Sequence, residues 1–321
     1  MEIGSFIELD FESKFEYYDG KNVARLNTGR AAIYHALYIL GCSEIYLPYY
    51  QCNTVREFLI EKKIDIKYYR LGKDFAPKID SIPENAAILL VNYYGVISNS
   101  RMACLANKYK HAIIDNSQAF FSSPTDNCIN VYSSRKFFGT PDGAYVVGNN
   151  VAKDITTYDK DYSSDTSLFL LQRIEYGCEG RSYESRKLNE DRLNKSGILR
   201  MSTLTTNILK SLNYEKIKAK RKENFEIASR LFHKINAINP KMHYDENCIP
   251  MVYPLFIEDG GLLPYLHKKK IFQGRWWEYL LDEIGSNMFE YWLTKNLIPI
   301  TIDQRYGIKE LEYIKKLINE K

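Results

Sequence analysis

The stretch Ala112-Ile113-Ile114-Asp115-Asn116-Ser117-Gln118-Ala119 decides how this chain is read. Its apolar run has no polar alternation, so both faces of a strand here are covered, as in a mostly parallel sheet. The run stops on an acid, followed by residues that favour turns. The same pattern stands upstream in Ala87-Ile88-Leu89-Leu90-Val91, which runs into Asn92-Tyr93-Tyr94-Gly95. Further out, Ile45-Tyr46-Leu47-Pro48 reads as a strand end, and Ile64 to Tyr69, Ile129 to Tyr132 and Ala144 to Val147 as further strands. Between them lie helical patterns: Thr28-Gly29-Arg30 opening a helix to about Leu40, then Val55 to Lys63, then Arg101 to Tyr109. Strands alternating with helices predict an α/β fold, a mostly parallel sheet with helices on both faces. Ligands of such sheets bind beyond the carboxyl ends of the strands, where Asp115, Asn92 and Pro48 fall.

The pattern breaks at residues 151–199, which are rich in Tyr, Ser, Asp, Glu and Arg. They read as long surface segments, ordered against a second subunit. One long helix is expected over Ser202 to Ile235, then strand–helix–strand–helix character from about Met242, closing with a helix over Lys309 to Ile318. At 321 residues the chain exceeds the usual size of a single core. A large domain over 1–225 and a small C-terminal α+β domain over 226–321 are expected.

Composition excludes several classes. Lys+Arg 44 against Asp+Glu 40 gives a net charge of +4, too small and too dispersed for a nucleic-acid partner. The basic run Lys216 to Lys222 reads as the solvated face of a helix. The 6 cysteines form no C-x-x-C and no zinc-type cluster, so no metal is expected. Met1-Glu2-Ile3-Gly4 does not open a secretory leader, and apolar runs such as Ala86 to Val91 are too short to span a bilayer. A reduced, cytoplasmic location is therefore expected. Neither G-x-G-x-x-G nor G-x-x-x-x-G-K-[ST] occurs, which argues against a dinucleotide or P-loop site.

Four features converge on one chemistry. Asp115 offers a carboxylate at a buried strand end. Lys136, in Val131-Tyr132-Ser133-Ser134-Arg135-Lys136-Phe137-Phe138-Gly139, offers an amine after a strand, with Ser133 and Ser134 as hydroxyls for a phosphate. Phe137 and Phe138 are expected to desolvate that amine. Thr28-Gly29-Arg30-Ala31 offers helix-start N–H groups to an anion. Asn92-Tyr93-Tyr94-Gly95 and Tyr50-Gln51-Cys52 could line a flat ring. These are the requirements of pyridoxal phosphate (PLP): an amine for the aldehyde, an acid for the pyridine nitrogen, a phosphate cradle and a wall for the ring. Each has a plainer reading: Asp115 capping its turn, Lys136 as a loop lysine, Thr28-Gly29 as an ordinary helix cap.

Taken in order, the motifs resemble the DegT/DnrJ/EryC1/StrS family of PLP-dependent sugar aminotransferases, over most of the chain. Thr28-Gly29-Arg30-Ala31-Ala32 resembles its Ser-Gly-Thr-Ala-Ala helix start, and Leu47-Pro48-Tyr49-Tyr50-Gln51-Cys52 its Pro-x-Tyr-Thr segment. Val91-Asn92-Tyr93-Tyr94-Gly95 is similar to its His-Leu-Tyr-Gly strand end. Ile114-Asp115-Asn116-Ser117-Gln118-Ala119 is similar to Glu-Asp-Ala-Ala-Gln-Ala, Tyr132 to Gly143 to the lysine loop, Arg200-Met201-Ser202 to Arg-Met-Ser, and Leu297-Ile298-Pro299-Ile300 to Leu-Pro-Ile-His. The resemblance implies a fold-type-I, aspartate aminotransferase-like architecture and a homodimer. It implies a Schiff base on Lys136, Asp115 under the ring nitrogen and Gln118 beside the ring. The chain departs from the family at Val131, where a Ser is usual, at Ile198, where an Asn is usual, and at Cys52, near the aromatic that often stacks on the ring.

The activity so implied is transfer of an amino group from a donor, glutamate, to a nucleotide-linked keto-sugar. Lys136 would act as base and acid. Arg30, Arg135, Arg200 and Arg275 are candidate anion contacts and Tyr94 a candidate substrate contact. Trp276 and Trp277 would wall the entrance or fill the small-domain core. The alternatives are a sugar dehydratase of the same family, disfavoured because such relatives tend to carry His where Lys136 stands, and a PLP-binding protein without turnover.

Overall fold

The computed structural model describes residues 3–258 and 260–321; Met1 and Glu2, part of the N-terminal stretch read above, lie outside them. The apolar runs form one seven-stranded sheet, in the order β1-β7-β6-β5-β4-β2-β3. Its strands are β1 (Val23–Leu26), β2 (Glu44–Pro48), β3 (Asp65–Tyr69), β4 (Ala87–Val91), β5 (Ala112–Asp115), β6 (Ile129–Ser133) and β7 (Ala144–Val147). Neighbours from β6 to β3 are parallel, whereas β7 runs antiparallel to both β1 and β6. β4, β5, β6 and β7 are buried at every residue, as unbroken apolar runs require. The strand β1 was not anticipated; only four residues long, it carries Arg25 in the middle of its apolar pattern.

Helices α1 (Gly29–Leu40), α2 (Asn53–Glu61) and α3 (Asn99–Ala106) follow the expected spans. Residues 151–199 differ from expectation. They fold into two helices, α4 (Leu168–Tyr176) and α5 (Arg181–Lys195), packed on each other. α5 is dominated by charged and polar residues, so no apolar stripe announces it. The single helix expected over 202–235 is two, α6 (Thr203–Lys210) and α7 (Tyr214–Phe232). The break falls at residues 211–213, where the Asn213 side chain accepts from Lys216 N and caps a new start.

The C-terminal part holds a two-stranded antiparallel sheet, β8 (Val252–Phe256) with β9 (Leu297–Thr301). Around it lie α8 (Leu262–Lys268), α9 (Leu280–Glu283), α10 (Phe289–Asn296) and α11 (Ile308–Glu320). The division expected after residue 225 falls inside α7, which joins the two parts. Tyr214 and Ile217 pack with Phe121, Phe137 and Phe138 of the large part. Phe225, Ala228 and Phe232 pack with β8, β9 and α11.

Candidate active site

The carboxyl ends of β1, β5 and β6 meet at one corner of the sheet. β1 leads through Asn27 into α1, where Thr28 Oγ1 accepts from Ala31 N at 3.3 Å. That cap serves the third N–H of the helix; among the described residues Gly29 N and Arg30 N meet no protein acceptor. A Cβ on Gly29 would stand 3.4 Å from Ser117 Oγ, so the helix start lies against the turn that follows β5. In that turn Asp115, 8% exposed, accepts from Ser117 N at 2.9 Å through Oδ1. Asn116 N donates to Val131 O at 2.7 Å and ties the turn to β6. The loop after β6 closes on the same corner: Ser134 N donates to Gly143 O at 3.2 Å, and Gly143 N to Asn27 O at 2.7 Å. Gly143 has φ +118°, and a Cβ there would run into Ser134 Oγ. Only glycine allows this approach.

Lys136 ends a single 3₁₀ turn, Ser134–Lys136, that leaves β6. It is exposed and lines a cleft of about 490 Å³ between the lysine loop, the α4–α5 pair and the 303–305 turn. Phe137 and Phe138 do not cover the amine as expected. Both border the cleft that Lys136 lines, but their rings are buried in an aromatic cluster with Phe120, Phe121 and Tyr214, while Lys136 stays exposed.

The remaining expected site residues divide into those at this corner and those held elsewhere. Ser133 is buried at the end of β6, with no side-chain partner among the described residues. Ser134 is not free for a phosphate. Its hydroxyl bonds Thr140 Oγ1 at 3.0 Å and Gly143 O at 3.1 Å, holding the lysine loop. Arg135 lines the cleft and pairs with Glu190 of α5. Arg30 donates to Leu193 O at the end of α5. Burial, and then the charge of Arg135, pulls the Arg30 guanidinium below its usual range. Cys52 caps α2, with Sγ 3.2 Å from Thr54 Oγ1. Gln118 Oε1 accepts from Tyr94 N at 2.7 Å, which steadies Tyr94 at φ 60°. Tyr94 itself is fully buried, its OH 2.9 Å from that of Tyr50 and its ring stacked on Trp276, so it is a core residue. Trp277 meets Tyr50 edge-on at 4.3 Å; both tryptophans fill the seam between the two parts. Arg200 and Arg275 do not line the cleft. Arg200 Nε donates to Tyr158 O at 2.9 Å, and Arg275 donates to Thr294 O and Lys295 O at the end of α10.

The cleft also holds residues that sequence reasoning missed: Ser182, Arg221, Gln304 and Arg305. Arg221 stands in the basic run read as a solvated face, yet it is 2% exposed. The signal was present in the spacing. Ile217, Arg221, Asn224, Phe225 and Ala228 recur at helical intervals on the buried stripe of α7. Among the described residues no group of three or more His, Cys, Asp and Glu could hold a metal, and no helix is long and apolar enough to cross a membrane.

A mostly parallel seven-stranded sheet with one reversed strand, together with a small two-stranded antiparallel sheet, is the fold of the PLP-dependent aminotransferases. No family model and no curated protein sequence matches the chain. Solved structures do. A DegT DnrJ EryC1 StrS aminotransferase from Brucella abortus is 13% identical, with TM-score 0.63 over 93% of this chain and 85% of its own. The sugar aminotransferase CalS13 from Micromonospora echinospora is 12% identical, with TM-score 0.61 over 93% and 87%. The protein ntda from Bacillus subtilis, solved with its cofactor PMP, is 12% identical, with TM-score 0.59 over 92% and 73%. The chain shares the fold of these three structures, at identities that show the fold alone.

Proposed function

We propose that this chain is a PLP-dependent aminotransferase that moves an amino group from glutamate to a nucleotide-linked keto-sugar. The observation that carries the reading is the meeting of an open helix start, Asp115 and the Lys136 loop at one corner of a fold shared with sugar aminotransferases. The residues fit the cofactor. Gly29 leaves room beside Ser117, the Gly29 and Arg30 N–H groups are unclaimed, and Asp115 Oδ2 has no protein partner among the described residues. Gln51 Nε2, at the end of the β2 segment, is buried without a partner.

In this reading the α1 start and Ser133 hold the phosphate, and Asp115 keeps the pyridine nitrogen protonated. The amine of Lys136 would hold the cofactor's aldehyde, and its Nζ, when free, would take the proton from the substrate and return it. PLP, when bound, supplies an electron sink for the negative charge left on the substrate carbon when that proton leaves. Arg30 and Arg135 add positive charge at this corner. A homodimer accounts for α4, in which Leu168, Leu171 and Ile174 are exposed and no residue is buried. Residues 1–225 and 226–321 act as large and small domains joined through α7, in a cytoplasmic enzyme.

Adding PLP to the purified protein should raise a visible absorbance band that Lys136→Ala lacks. Glutamate with a panel of nucleotide-linked keto-sugars should then give amino sugars. If no band forms with PLP added, the cofactor reading fails. If the band forms but no keto-sugar accepts nitrogen, the substrate reading fails.

A further inference from the structure

The guanidinium of Arg221 is held in an arrangement that leaves it without a counter-ion. Its Nε donates to Gln304 Oε1 at 3.0 Å, and its Nη1 to Pro250 O at 3.3 Å and Met251 O at 3.0 Å. Its Cζ lies 4.5 Å from the centre of the Phe137 ring, the residue after Lys136. Gln304 completes the link by donating through Nε2 to Phe137 O at 3.0 Å. Among the described residues no carboxylate forms an ion pair with Arg221. The near acid, Asp303, is engaged by Arg305 at 2.8 Å. Burial drags the Arg221 guanidinium down to about 10, with the charge of Asp303 opposing and that of Arg305 adding to the fall. A buried cation with neutral acceptors only is costly unless an anion completes it.

A second feature of the same cleft points the same way. α5 begins there, and its N-cap, Gly180, provides no side-chain cap. The first turn of this 15-residue helix, with the positive end of its dipole, therefore stands at the edge of the cleft. Ser182, in that first turn, lines the cleft, is 4% exposed, and its Oγ is buried without any partner. Arg173 and Arg305 add positive charge to the walls, and Asp303 is the one acid among the lining residues.

We propose that Arg221 and the start of α5 at Ser182 together seat the carboxylate of the amino donor. This rests on the aminotransferase reading and adds to it the residues that select the donor. A carboxylate suits the seat because it accepts from a guanidinium on one side and from a hydroxyl and helix N–H groups on the other. Lys136 lines the same cleft, and Arg221 packs on the ring of the next residue, Phe137, so a donor held there would present its amine to the lysine loop. Arg221 would then set the donor's affinity, while Lys136 does the chemistry.

The test uses the PLP-loaded full chain and glutarate, a dicarboxylate with no amine, titrated calorimetrically. Wild type should bind glutarate with a Kd unaffected by an equal concentration of inorganic phosphate. Arg221→Lys, which keeps the charge but loses the fork, should weaken glutarate about 10-fold or more. It should raise KM for glutamate with little change in kcat, and leave the visible band intact. Ser182→Asp, which places a carboxylate in the seat, should abolish glutarate binding and does not depend on Arg221 variants folding. Glutarate binding unchanged in either folded variant overturns the proposal, as does displacement of glutarate by phosphate. A missing visible band in wild type is a different failure, that of the aminotransferase reading itself.

Discussion

Gly95 offers a direct test of how the site corner is joined to the C-terminal part. It follows Tyr94 in the turn after β4, with φ +72°. A Cβ there would stand 2.6 Å from Gln118 O, 3.1 Å from Pro250 Cα and 3.2 Å from Ile249 O. All three contacts are backbone, so none can swing aside. Two costs add in Gly95→Ala: about 1–2 kcal/mol for an L-residue in left-handed backbone, and about 1–3 kcal/mol for the forced shift of packed chain. The sum is roughly 2–5 kcal/mol. Gly41 supplies the control, because it has φ +68° with nothing within 4 Å of a Cβ. Gly41→Ala should cost only the conformational part, about 1–2 kcal/mol. Urea unfolding of both variants gives the comparison. If the two cost the same within about 0.5 kcal/mol, the close approach of the Gln118 turn and the 249–250 segment is wrong. Because Gln118 lies three residues past Asp115, Gly95→Ala should also weaken PLP binding more than Gly41→Ala does.

Other expectations follow from single residues. Asp142 is fully buried and accepts from Ser202 N at 2.8 Å, from Ser202 Oγ at 2.6 Å and from Thr205 Oγ1. Asp142→Ala should lower unfolding free energy by about 3 kcal/mol or more and loosen the lysine loop, measurable by denaturant titration and by proteolysis near Gly139. His35 is fully buried, with Nε2 2.7 Å from Val151 O. Burial lowers its pKa below the usual value, against the opposing Val151 bond and Asp154 charge. The unfolded chain therefore binds this proton more readily. The stability involved is complete above about pH 6.5 and is lost as pH falls towards the folded pKa, at no more than about 1.4 kcal/mol per pH unit. Unfolding curves between pH 5 and 8 should show that slope in wild type and lose it in His35→Gln. Asp115→Asn should keep the fold but slow amino transfer by roughly 100-fold or more, measured as single-turnover loss of the visible band with glutamate.

The fold was legible where the sequence repeats one local rule. β4 and β5 are apolar on both faces, and α1 opens on Thr28 and closes at Gly41, so their spans follow from pattern and caps alone. Legibility failed where tertiary contacts decide. α4 is apolar but buries nothing, and α5 is polar almost throughout, so neither shows the one-sided stripe that marks a helix on a core. α7 was foreseen as a helix but not its start at Tyr214, because the break depends on one capping Asn. In the site, Asp115 and Lys136 stand out as polar groups just past apolar strands. Whether a side chain near them is free or engaged is a matter of partners distant in sequence. Ser134 is taken by its own loop, Tyr94 by Tyr50, and Arg200 by Tyr158. Arg221 was hidden for the opposite reason: five lysines and arginines in seven residues suggest solvent, while its register on α7 turns it inward.

Reduction of the PLP-treated protein with borohydride, followed by peptide mass mapping, tests the central claim most directly. The account predicts one pyridoxyl-phosphate adduct, on the peptide that contains Lys136, with loss of the visible band and no adduct in Lys136→Ala. An adduct on another lysine, or none at all with PLP in excess, would contradict it.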